Sequence, residues 1–105
     1  MNHMDVAELK QKQNQNESFE LIDVREKEEY DICHISGSKL IPLSQLPIEA
    51  QNWDRSKTYY LLCKMGGRSA RACEWMMANG FEDVTNIEGG IMAWAEDIDT
   101  TMPIY

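Results

Sequence analysis

Thr58-Tyr59-Tyr60-Leu61-Leu62-Cys63-Lys64-Met65-Gly66-Gly67-Arg68-Ser69 decides how this chain is read. Its first six residues are mostly apolar and rich in aromatics, which predicts a buried strand over 58–63. Two glycines then break the pattern. Residues 69–79 follow a helical period, with Ala70, Ala72, Cys73, Met76 and Met77 on one face and Arg71 and Glu74 opposite. Gly80 closes that helix. A cysteine therefore ends the best strand of the chain, just before a helix starts. In open parallel sheets, ligand sites form at that end of the strands.

Working outward, strands and helices alternate. Upstream, Asp5 to Gln13 predicts a first helix with Asp5 as cap and Glu8 three residues on. Residues 19–24 read as a strand and Glu26 to Ile32 as a charged helical turn. Residues 39–41 read as a brief strand stopped by Pro42, and Ser44 to Asn52 as a helix capped by Ser44. Downstream, residues 84–87 read as a last strand, and Gly89-Gly90 leads a short helix through 91–94. His3 falls in a terminus expected to fray. Alternating elements of this kind make βαβ units. The expected fold is α/β, with a mostly parallel sheet of about five strands and helices on both faces.

The 105 residues allow one domain, spanning 1–105. An apolar fraction of 43% with 27% charged residues is that of a folded chain rather than a disordered one. The net charge of −8 argues against a nucleic-acid surface or an anionic membrane as partner. No apolar run approaches the roughly 20 residues of a membrane span. Met1-Asn2-His3-Met4-Asp5 lacks the basic and apolar regions of a signal peptide, so a cytoplasmic location is expected. Cys33, Cys63 and Cys73 are odd in number and form no C-x-x-C. A disulfide framework, a zinc ribbon and a redox dithiol are therefore disfavoured, and no metal site is expected.

The loop after Cys63 has the parts a reactive thiol needs. The thiolate is the nucleophile, and an ordinary thiol with a pKa of about 8.5 supplies little of it at neutral pH. A helix N-terminus offers unpaired N–H groups and partial positive charge. Gly66 and Gly67 let the backbone curl so that N–H groups point inward as an anion nest. Lys64 and Arg68 add full charges, and Ser69 is placed to cap the helix. The bland alternative, a core cysteine beside a simple turn, leaves two glycines and two cations unexplained.

Other chemistry-bearing residues have simpler readings. Arg25 and Asp23 are expected to serve structure, Arg25 by pairing with nearby acids and Asp23 by accepting loop N–H groups. His34 reads as a histidine bonded to backbone rather than a base for Cys63. Cys73 falls on the apolar helix face and reads as a core thiol, and Cys33, just before a turn, reads as structural too. Trp94 reads as core, while Trp53 and Trp75 lie at helix edges where packing is the default.

Four residues separate Cys63 from Arg68. Cysteine-dependent phosphatases use a loop one residue longer, wide enough for tetrahedral phosphate. The shorter loop suits a smaller charged terminus such as the outer sulfur of a persulfide. Here the chain resembles the rhodanese family of sulfurtransferases. Asp23-Val24-Arg25-Glu26 with Glu29-Tyr30 is similar to the family's segment after an early strand. His34-Ile35-Ser36-Gly37-Ser38 with Ile41-Pro42 is similar to its next turn. Cys63 through Ala70 resembles its active-site loop, and Gly80-Phe81 with Gly89-Gly90-Ile91-Met92-Ala93-Trp94 its closing segment. The Lys-x-Gly-Gly-Arg-Ser loop and the ending from Trp94 to Tyr105 look most like the rhodanese domain fused behind adenylyltransferases of ubiquitin-like sulfur carriers.

The resemblance implies persulfide chemistry on Cys63. Its thiolate takes sulfur from thiosulfate or a cysteine desulfurase, then yields it to a thiophilic acceptor or an activated carrier protein. The loop Lys64, Met65, Gly66, Gly67, Arg68 and Ser69 would bind the anion, with Arg68 adding charge and fixing the loop and Lys64 and Met65 at the rim shaping donor choice. No cofactor or metal is implied. The competing readings are a non-catalytic binding module on the same scaffold and a cysteine-dependent phosphatase or arsenate reductase. Charge is divided to match: residues 17–31 carry seven acids against Arg25 and Lys27, whereas 63–73 carry Lys64, Arg68 and Arg71 with no acid.

Overall fold

In the computed structural model, which describes residues 1–105, the strand ending at Cys63 lies in the middle of a five-stranded sheet. The strands are β1 (Asn2–Met4), β2 (Glu20–Asp23), β3 (Lys39–Leu40), β4 (Thr58–Leu62) and β5 (Asp83–Ile87). Their order is β1-β5-β4-β2-β3, and every pairing is parallel. The helices are α1 (Val6–Asn14), α2 (Lys27–Ile32), α3 (Leu46–Glu49), α4 (Gly67–Ala78) and α5 (Gly90–Asp97).

Alternation along β4 divides the core in two, because successive strand side chains point to opposite faces. Tyr59 and Leu61 pack with Ile22 and Val84 against Leu46 of α3 and Ala72, Cys73 and Met76 of α4. Tyr60 and Leu62 pack with Leu21 and Ile87 against Val6 and Leu9 of α1 and Ile91 and Trp94 of α5. Helices thus cover both faces, as expected. Each fully buried aliphatic side chain contributes about 1.5–3 kcal/mol. Trp94 is core, and Trp53 and Trp75 pack half-buried on the first cluster. No helix is long and apolar enough to cross a membrane.

Several sequence expectations need correction. The terminus around His3 is not frayed: Asn2, His3 and Met4 pair with Thr85, Asn86 and Ile87. Backbone pairing against a preformed edge needs no side-chain pattern, and only Met4 is buried there. The helix expected over 44–52 is broken into α3 between two 3-10 turns, and Ser44 does not cap it. Pro47 has no N–H to give to the turn before it. Helix α4 starts at Gly67, two residues early, and its cap is Gly66 at φ +109° rather than Ser69. Its buried stripe is Ser69, Ala72, Cys73 and Met76, which leaves Met77 44% exposed. The polar Ser69 concealed that stripe in the sequence. Asp5 does cap α1, accepting from the Glu8 N–H at 2.8 Å.

Candidate active site

Cys63 follows β4 directly and is only 1% exposed. The chain then turns back through Gly66, whose left-handed φ of +109° a residue with a Cβ would resist. The turn brings α4 over the sulfur. The N–H groups of Gly66 and Ser69 donate to Cys63 Sγ at 3.1 and 3.4 Å. The Ser69 hydroxyl lies 3.3 Å from the same sulfur. Burial pushes the thiol pKa up. Hydrogen bonds from the Ser69 hydroxyl and the N–H groups of Ser69, Gly66 and Met65 more than offset it, and the value falls below that of an ordinary thiol. Cys73 lacks such donors, and burial drives its pKa up to about 12.

Two further elements hold the loop. Asn86 of β5 accepts from the Ser69 hydroxyl at 2.5 Å and donates through Nδ2 to the Gly66 carbonyl at 3.2 Å. It thereby fixes both ends of the turn that surrounds the sulfur. The Ser69 hydroxyl has one proton and two neighbours. With a neutral thiol it can give that proton to Asn86 and accept from Cys63; with a thiolate it turns to the sulfur. At the start of α5, the Ile91 and Met92 N–H groups donate to the Cys63 and Lys64 carbonyls, each at 3.0 Å. A Cβ on Gly90 would run into those same carbonyl oxygens. Glycine there is a condition of the close approach.

The cations are arranged less simply than the sequence suggests. Arg68 does not stand free at the mouth. Its Nη1 and Nη2 reach Glu29 Oε1 and Oε2 at 2.6 and 2.9 Å. Arg68 leads the effects that hold the Glu29 carboxyl down to about 2. Arg25 is fully buried on Asp23, with Nε and Nη2 2.8–3.1 Å from its oxygens. The Tyr105 hydroxyl accepts from Arg25 Nη1 at 2.9 Å and donates to Glu29 Oε2 at 2.8 Å. Lys64 lies over the Tyr105 ring, 4.3 Å from its centre. A surface depression of about 400 Å³ is lined by Cys63, Lys64, Met65, Gly67, Arg68 and Arg71. Met65 is 71% exposed at its rim.

Of the residues singled out in the sequence, Gly66 and Ser69 meet Cys63, Lys64 and Met65 form the rim, and Gly67 opens α4. Arg68 is engaged elsewhere. His34 is exposed, stacked on Tyr30 and bonded through Nδ1 to the Tyr30 carbonyl at 3.0 Å. Cys33 is buried, and its carbonyl accepts from Arg25 Nη2 at 2.7 Å. Sequence reasoning missed Asn86, Glu29 and Tyr105. Asn86 had a signal: a polar residue in a buried strand must find partners. Glu29 and Tyr105 meet Arg68 and Lys64 only through the fold.

The hydroxyl of Ser69 gives a direct test. Ser69→Ala removes a donor to the thiolate and none to the thiol, so the Cys63 pKa must rise. A hydrogen bond to a charged group is worth about 1.5–3 kcal/mol, or about one to two pKa units. The pH midpoint of Cys63 alkylation by iodoacetamide is expected to move up by about that amount.

The family model described as the rhodanese-like domain matches residues 5–97. A putative sulfurtransferase of Bacillus subtilis, YtwF, is 39% identical over 88 residues, covering 84% of this chain and 84% of its own. The probable adenylyltransferase/sulfurtransferase MoeZ of Mycobacterium tuberculosis is 39% identical over 94 residues, 81% of this chain but 22% of its own. The chain spans between about a fifth and a half of the length of several curated relatives it matches. Among solved structures, a rhodanese-like domain protein from Staphylococcus aureus superposes with a TM-score of 0.84 at 36% identity, covering 90% of this chain and 91% of its own. Motif order, parallel sheet and loop agree with these matches, and the chain belongs to the rhodanese-like domain family.

Proposed function

We propose that this chain, read as one rhodanese domain over 1–105, is a sulfurtransferase that carries sulfane sulfur on Cys63. The observation that carries the reading is a buried sulfur ringed by two N–H groups and a hydroxyl, with its pKa below the ordinary thiol value. In the first step the Cys63 thiolate attacks the outer sulfur of thiosulfate. A sulfur–sulfur bond forms on Cys63, the bond to the sulfonate sulfur breaks, and sulfite leaves with the bonding pair. The product is a Cys63 persulfide anion, which the same donors stabilise. In the second step a nucleophile takes the outer sulfur and Cys63 returns as thiolate. Cyanide gives thiocyanate in this way. The hydrogen bonds to Cys63 Sγ raise the thiolate share above that of an ordinary thiol, and the proposed steps use no general base.

Relatives named as sulfurtransferases and a putative sulfur carrier support sulfur-transfer partners in general. A cysteine desulfurase as donor and a ubiquitin-like sulfur carrier as acceptor fit the same chemistry. A phosphatase reading is weaker because the Arg68 fork that would clasp phosphate is closed on Glu29. The test is a paired assay. Thiocyanate is expected to form from thiosulfate and cyanide, with no hydrolysis of an aryl phosphate. Hydrolysis without thiocyanate would reverse the assignment.

A further inference from the structure

Ser69 and Asn86 make a closed pair beside the sulfur. Ser69 is fully buried and Asn86 is 5% exposed, so water does not replace a partner that either one loses. The Asn86 amide has one orientation. Its Nδ2 donates to the Gly66 carbonyl at 3.2 Å, and turning the amide over would set two carbonyl oxygens against each other. Its Oδ1 therefore faces Ser69 Oγ at 2.5 Å, and that hydroxyl is its one donor. Ser69 Oγ in turn has two neighbours, Asn86 Oδ1 and Cys63 Sγ, and a single proton.

Each form of Cys63 treats that proton differently. A thiol can donate to Ser69 Oγ, so the hydroxyl stays on Asn86. A thiolate is a charged acceptor and draws the hydroxyl to itself, which leaves the buried Asn86 oxygen without a donor. In a persulfide, Sγ is bonded to the outer sulfur and the charge sits on that outer atom. Sγ is then a weak acceptor, and the hydroxyl returns to Asn86. The exchange is a rotation about the Ser69 Cβ–Oγ bond, and no O–H bond breaks. We propose that Asn86 is a positioning residue that competes with Cys63 for the Ser69 hydroxyl proton, and thereby favours the sulfur-loaded form of Cys63 over the free thiolate. The second half rests on the sulfurtransferase reading; the competition itself does not. Asn86 and Ser69 thus act in opposite senses, one restraining the thiolate and the other stabilising it. The Gly66 and Ser69 N–H groups have no such choice, because neither donates elsewhere. A sulfur carrier needs the restraint, since groups that stabilise only the free thiolate also oppose loading.

The test is a double-mutant cycle read by the pH midpoint of Cys63 alkylation with iodoacetamide. Asn86→Leu is introduced with Ser69 present and again in Ser69→Ala. Loss of the Asn86 bond to Gly66 acts in both backgrounds, so the difference between them isolates the hydroxyl. With Ser69 present, Asn86→Leu should lower the midpoint by about half to one pH unit more than it does in Ser69→Ala, the size of a neutral hydrogen bond. Asn86→Val, which suits a strand, repeats the cycle if leucine disturbs the fold. Above all four midpoints free Cys63 is thiolate. There, in a fixed mixture of thiosulfate and sulfite, Asn86→Leu should lower the ratio of persulfide to free Cys63 about three- to tenfold by whole-protein mass spectrometry, again only while Ser69 is present. Equal midpoint shifts in the two backgrounds would overturn the inference even if sulfur transfer is intact. An unchanged loading ratio would overturn its second half. A midpoint difference of the expected size in a chain that takes up no sulfur would uphold the competition and refute the sulfurtransferase reading instead.

Discussion

Cys63→Ala is expected to lower thiosulfate-to-cyanide sulfur transfer by at least about a thousandfold, with the fold retained. The effect is large because no other thiol can stand in. Cys33 and Cys73 are buried, and the Cys73 pKa is pushed up to about 12. Neither receives the N–H and hydroxyl contacts that surround Cys63. Alanine also removes the acceptor for the Gly66 and Ser69 N–H groups, which costs stability at a buried site. Cys63→Ser keeps an acceptor and serves as the second variant. Both should show native circular dichroism and no turnover. Residual activity above about a tenth in either one would place the nucleophile elsewhere.

The second large effect is on stability. Arg25→Met is expected to cost about 3–5 kcal/mol in urea unfolding. The whole domain has only about 5–15 kcal/mol to lose. The guanidinium is fully buried and makes bonds to Asp23, the Glu29 and Cys33 carbonyls and the Tyr105 hydroxyl. Methionine fills much of its volume but leaves the Asp23 carboxylate buried and uncompensated. That leftover charge is the main cost, so adding Asp23→Leu should recover a large part of it. A double variant no more stable than Arg25→Met would mean that the lost packing and carbonyl contacts dominate instead.

How much of this was legible in the sequence depends on what each feature rests on. Strand β4 and the turn after it were legible because an apolar run ending in Cys63 and Gly66-Gly67 has few other uses. The parallel sheet followed from the alternation of strands and helices. The structural reading of Arg25 held, since a charge beside Asp23 and a buried strand needs a partner. Strand β1 was not legible, because three residues pairing through backbone leave no pattern. The break before α3 was hidden because proline is tolerated in the first turn of a helix, so residues 44–52 still read as one helix. Arg68 was legible as a charge that fixes the loop, but its partner was not, because Glu29 lies 39 residues away and only the fold brings it near. Asn86 was hidden in the same way: its partners Ser69 and Gly66 come from another element.

The central claim is that Cys63 holds the transferred sulfur. Whole-protein mass spectrometry after incubation with thiosulfate tests it most directly. The account predicts a gain of one sulfur atom, carried on the peptide containing Cys63, lost on adding cyanide and absent from Cys63→Ala. A sulfur adduct of equal yield in Cys63→Ala, or none in the wild-type chain with either thiosulfate or a persulfide donor, would contradict it.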